Sequence, residues 1–183
     1  MQKYLPIYVY GFITALVGVF LILPNNNLFL TVKYTLGISL ILGAIFAFIT
    51  AFTRQRKHVQ FAYHEMHAMV MLTYGLSVIL FCTSTKELIS FTVFLFIFYA
   101  FSEIIFSSWL FNLHQKVVIQ IAVIRALLGL VIGFGTIIAL NFTEFTFQIF
   151  GVLFIMVGIN IMLYIPVMKA QPFNIDQSQE KTF

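Results

Sequence analysis

Two charges stand inside long apolar stretches of this sequence, and their positions imply that they meet. Glu103 and Arg125 each lie 11 residues from His114. If the chain folds back as an antiparallel helical hairpin around His114, both reach the same depth, at about 1.5 Å of helix rise per residue. A charge in an apolar medium costs several kcal/mol unless it faces the protein interior and finds a partner. The spacing therefore predicts a Glu103–Arg125 ion pair. Such a pair serves either as a proton or anion site reached from one side of a membrane, or as a bridge that only orients the hairpin.

His64, Glu65 and His67 form a second group. The i, i+3 spacing puts both imidazoles on one helix face. There they could take a metal with a third ligand from His58, Glu103 or His114, or titrate near neutrality as solvated, pH-sensing groups. Only two residues separate the histidines, so this is not the HExxH zinc motif, and no metal is expected. Cys82 is the single cysteine, which excludes a disulfide framework or a multi-cysteine metal site within one chain. No Walker loop, dinucleotide glycine motif, GxSxG elbow or histidine-rich box occurs in the sequence. The expectation is a protein without enzymatic activity and without a cofactor.

The elements that must position these residues are apolar helices. Hydrophobic residues make up 61% of 183 positions and charged residues 9%, with a mean hydropathy of +1.02. A soluble domain carries about a quarter charged residues, so too few polar side chains are present to cover a surface in water. A bilayer core about 30 Å thick needs roughly 20 apolar residues per helix. Largely apolar stretches of that length fall at about 5–23, 28–52, 63–81, 88–111, 117–140 and 145–167. They predict an all-α membrane protein of six transmembrane helices within residues 1–168, followed by a polar tail, 169–183. A membrane β-barrel would instead show segments of about 10 residues with alternating polarity. The first run is too long for a signal peptide, and Pro24-Asn25-Asn26-Asn27 offers no small-residue cleavage site. Pro6, Pro24, Pro166 and Pro172 fall at helix ends or outside them, so no span is expected to be broken.

Charge sets the orientation. The formal net charge of +4 comes from basic residues lying between apolar segments, not from a patch for nucleic acid, which is not an expected partner. Lys3, Arg54, Arg56, Lys57, Lys116 and Lys169 gather on one side, and Lys86 and Lys33 on the other. The positive-inside rule then places both termini in the cytoplasm. Tyr4, Tyr63, Trp109 and Tyr164 fall near that inner interface as aromatic anchors.

Helix association in lipid relies on small residues that let backbones approach. Ser39, Gly43, Ala47 and Ala51 form one stripe in the second span, and Gly129 and Gly133 a GxxxG pair in the fifth. They pack helices within one chain or form the seam of a homo-oligomer. Besides the lipid bilayer, a second copy of the chain is thus the candidate partner. Gly18, Gly75 and Gly135 recur at spacings of 57 and 60, each shortly before a turn. This reads as three parallel helical hairpin repeats, about 5–52, 63–111 and 117–167. Aligned on those glycines, Tyr8, Glu65 and Arg125 become equivalent, and Glu65 is an alternative partner for Arg125.

Gly11-x6-Gly18 ending at Pro24-Asn25, and Arg125-x3-Gly129 through Gly135 to Asn141, resemble the HdeD-type family of small bacterial inner-membrane proteins. The middle hairpin departs from that pattern, having only Gly75 and then Cys82-Thr83 at its turn. The resemblance implies six helices in three hairpins, an inner-membrane location and a role in acid or envelope stress without catalysis. The other reading is a small transporter or channel component with its polar site around Glu103 and Arg125.

Overall fold

A computed structural model describes residues 5–23, 28–54, 62–111, 116–141 and 146–170, without the side chains of 28, 50–54, 62–65 and 168–170. Where no water can satisfy backbone N–H and C=O groups, a continuous apolar run must pair them within itself. The runs accordingly form α1 (Leu5–Ile22), α2 (Leu28–Arg54), α3 (Ala62–Phe81), α4 (Thr85–Phe111), α5 (Lys116–Asn141), α6 (Thr146–Met162) and the short α7 (Tyr164–Ala170). Five stretches are long and apolar enough to cross a bilayer: Leu5–Ile22, Phe29–Ile49, Thr85–Phe111, Lys116–Asn141 and Thr146–Val167. The apolar part of α3, Met66–Phe81, is shorter, roughly 24 Å at 1.5 Å per residue. Among its described residues the chain is all-helical, with helices long and apolar enough to cross a membrane.

Two element limits differ from expectation, each for a local reason. α4 starts at Thr85 rather than Leu88, because Ser84 and Glu87 form a capping box. Ser84 Oγ accepts the Glu87 N–H at 3.3 Å, and Glu87 Oε2 accepts the N–H groups of Ser84 at 3.3 Å and Thr83 at 2.7 Å. Donors that a helix start leaves unpaired are thereby satisfied. The sixth span, expected to run unbroken over 145–167, is interrupted at Leu163 between α6 and α7. Pro166 has no N–H to give the Met162 carbonyl, and its ring clashes with that carbonyl in a continuous helix.

The helices form a ring in sequence order, closed by α1 against α6. The packing units are not the expected hairpins. α1 touches α2 and α5 touches α6, but the closest pairs are α1 with α6, α2 with α3 and α4 with α5, and α3 with α4 is the loosest seam. Glycines account for this. A Cβ on Gly158 would lie 2.5 Å from the Gly11 carbonyl, and Gly18 and Gly151 crowd each other's backbone in the same reciprocal way. Between α2 and α3, a Cβ on Gly75 would lie 2.8 Å from the Gly37 carbonyl. Only Gly permits such backbone approach. The reciprocal pairing also sets α1 antiparallel to α6, so the start of α1 lies beside the end of α6.

The expected small-residue stripes face helices of the same chain. Gly43 lies under the Tyr10 ring of α1, Ala47 is buried and Ser39 half-buried. The side chain of Ala51 is outside the described ones. Gly129 and Gly133 face Glu103 and Ala100 of α4, and Gly135 meets Leu153 of α6. The alignment that equated Tyr8 with Arg125 is not matched by their surroundings: Tyr8 is exposed, whereas Arg125 is buried.

Candidate functional site

Arg125 of α5 and Glu103 of α4 meet as their spacing predicts, each only 1% exposed. They sit 9 and 8 residues from the neighbouring helix ends at Lys116 and Phe111, roughly 12–14 Å along the helix. Arg125 Nε donates to Glu103 Oε2 at 3.1 Å, and Nη2 donates to both carboxylate oxygens at 2.8 Å. Charge-assisted bonds of this planar kind are the strongest available to a side chain. Gly129, one turn beyond Arg125, makes the pairing possible. A Cβ there would stand 3.1 Å from Glu103 Cβ and 3.4 Å from the Ala100 carbonyl, so its absence lets α4 close on α5 at this level.

The guanidinium is also fixed from the α6 side. Arg125 Nη1 donates to the Asn160 carbonyl at 3.0 Å, in the last turn of α6. The neighbouring Ile159 carbonyl accepts the Leu163 N–H at 3.0 Å, and the helix dipole favours a cation beside this end of α6. The aromatic rings of Phe106 and Tyr164 flank the guanidinium carbon, with centroids at 5.1 and 5.6 Å, within the range of cation–π attraction. The break at Leu163 thus serves the site: it ends α6 where Arg125 can use its carbonyls, and it starts α7 with Tyr164 beside the charge.

From this pair a polar array continues to α3 and α1. The Asn160 amide donates to Tyr99 Oη at 2.9 Å, and Tyr99 stands one turn before Glu103 on α4. The Tyr99 ring meets His67 of α3 edge-on, centroids 4.9 Å apart, and His67 Nδ1 hydrogen-bonds Tyr10 Oη of α1 at 2.9 Å. Residues from five helices are joined in one buried sequence of contacts: Tyr10, His67, Tyr99, Asn160, Arg125 and Glu103. Two further buried polar atoms, Asn160 Oδ1 and Ser107 Oγ, have no hydrogen-bond partner among the described residues. Buried polar groups are usually paired, so these two mark the core as polar beyond what the ion pair needs.

His67 corrects the sequence reading. It is not a solvated, interfacial imidazole but a buried one, packed between two tyrosines. The side chains of His64 and Glu65, and residues His58 and His114, lie outside the described ones, so the i, i+3 histidine pair and the alternative Glu65–Arg125 contact do too. Among the described residues no three His, Cys, Asp or Glu side chains gather as a metal site would require. Tyr10, Tyr99 and Asn160 are members of the site that sequence reasoning did not single out. Asn160 carried a usable signal, being an amide in the middle of an apolar run; the tyrosines did not, since tyrosine is common in spans.

Smaller polar links tie the far end of the bundle. Lys33 of α2 donates to the Cys82 carbonyl at 2.7 Å, capping the end of α3. Thr92 Oγ1 donates to the Leu88 carbonyl, which leaves its oxygen to accept the Tyr74 hydroxyl at 2.8 Å. Neither cluster brings a nucleophile to a base. Against family models, curated proteins and solved structures the chain finds no match.

Proposed function

We propose that this chain is a non-enzymatic, HdeD-like protein of a bacterial inner membrane, with both termini cytoplasmic and a role in acid or envelope stress. The observation that carries a structural rather than catalytic reading is the closure of the charged pair on itself. Arg125 directs its donors to Glu103 and to the Asn160 carbonyl, tying α4, α5 and α6 at one level. A pair so engaged is a clasp. The likeness of Gly11-x6-Gly18 and Arg125-x3-Gly129 to the family pattern supports the family reading and, through it, the stress role.

A second reading, a small transporter or channel component, has one specific observation in its favour. Polar sites in carriers form where a span is discontinuous, and the break at Leu163 lies beside Arg125 and the unpartnered Asn160 Oδ1. Reconstitution into liposomes holding a pH-sensitive dye separates the two. The structural reading expects proton flux equal to that of protein-free liposomes. Flux above that level, abolished in Glu103→Gln, would establish transport instead. For the stress role, a strain lacking the protein should survive an acid challenge less well and recover with the wild-type chain; equal survival removes that role.

A further inference from the structure

We infer that the seam between α3 and α4 is a binding site for one acyl chain of a membrane phospholipid. The seam encloses a groove of about 340 Å³, at the lower end of the roughly 300–1,000 Å³ that small-ligand sites span. Its rim includes Met66, Met69, Phe94 and Phe98, and its floor Tyr74 and Leu95. The opening follows from the sequence. α4 contains no glycine, and Gly75 of α3 is turned toward Gly37 of α2. Backbone contact therefore closes α2 on α3 and α4 on α5, while α3 and α4 are held apart by large side chains.

Three observations choose the occupant. The rim is continuous with the apolar outer surface of the spans: Phe94 is 78% exposed and Met69 61%, so the groove opens on hydrocarbon. Its floor asks for no polar ligand, because the Tyr74 hydroxyl is already engaged with Thr92. The exposed surface lining it is a small fraction of the roughly 800 Å² per partner that a stable protein–protein interface buries, too little to seat a second copy. A slender, flexible hydrocarbon chain meets all three conditions. The unbranched methionines at the rim can adjust to its path.

The test is retention of phospholipid by the full-length protein, purified in detergent and passed through a second detergent, then read by native mass spectrometry. Wild-type protein should keep bound phospholipid. Thr73→Phe and Ser77→Leu, both on the groove wall, should keep about tenfold less, the loss expected from displacing roughly two methylenes. Phe12→Ala on the exposed face of α1 should behave as wild type. Thermal unfolding is measured alongside, and either wall variant with native stability suffices. Wild-type protein free of phospholipid overturns the proposal, as does unchanged retention in a stable wall variant. A lipid-free wild-type dimer that Thr73→Phe turns into a monomer would assign the groove to a second copy instead, against the argument from size.

Discussion

Arg125 has almost no contact with solvent, and its charge is held by Glu103, by a backbone carbonyl and by two aromatic rings. Removing one member of such a pair leaves the other buried and unpaired, a loss of about 3–5 kcal/mol in soluble proteins. Glu103→Gln and Arg125→Gln should therefore each lower stability in detergent strongly. The double substitution should cost less than their sum, by on the order of 1–3 kcal/mol. Strictly additive losses in denaturation titrations would refute direct pairing. Asn160→Leu is a milder case. It removes the amide's hydrogen bonds to Tyr99 and Glu103 while keeping the carbonyl that Arg125 uses, so its cost should stay at about 1 kcal/mol per bond lost. A loss as large as that of Arg125→Gln would show that the amide, and not the carbonyl, holds the charged pair. The meeting of Glu103 and Arg125 is legible in the sequence because an antiparallel hairpin turns equal distance from a loop into equal depth. The burial of His67 is not, because it depends on Tyr10, 57 residues away in sequence, and no local pattern records that neighbour.

Helix pairs in this bundle close at glycines, but not every glycine does the same work. At Gly158 a methyl group would meet the Gly11 carbonyl at 2.5 Å and the Ala15 amide nitrogen at 2.8 Å, backbone atoms that cannot step aside. Gly158→Ala should cost about 1–3 kcal/mol through overpacking. At Gly133 the nearest atom is Ala100 Cβ at 3.4 Å, an ordinary contact. There the better helix propensity of Ala, up to about 1 kcal/mol, should make Gly133→Ala neutral or stabilising. Thermal melts of the two variants check this, and equal losses would mean that the α4–α5 seam is as tight as α1–α6. The GxxxG at 129 and 133 is the more conspicuous motif in the sequence, yet its second glycine is the dispensable one. Spacing shows which glycines share a face; which backbone they meet is a property of the packed ring.

At the scale of the whole molecule, the span limits follow from the apolar runs to within a few residues, since chain length in hydrocarbon is set by bilayer thickness. Exceptions occur where short-range chemistry intervenes, at the Ser84–Glu87 cap and at Pro166. The order of contacts around the ring was hidden. Consecutive helices suggest hairpins, whereas the glycines join each even-numbered helix of the first six to the odd-numbered one that follows, with α6 returning to α1. The membrane orientation yields to a direct test. Single cysteines placed in the 24–27 and 142–145 connections should react with an impermeant maleimide added outside intact cells. Those in 55–61 and 112–115 should react only after permeabilisation, and Cys82, being buried, should contribute little background. The reverse pattern would place both termini outside.

The closing of α1 on α6 also sets a schedule for the newborn chain. The ribosome must make every residue between Leu5 and Thr146 before the partner of the first span begins to emerge. At about 5–20 residues per second that wait is roughly 7–28 s. Throughout it, the glycine face of α1 has no mate of its own and must be tolerated by the insertion machinery or sheltered by α2. A truncated product that stops before Gly151 never receives that mate. Membrane proteases that survey unassembled spans would therefore find in α1 the signature of an unfinished molecule.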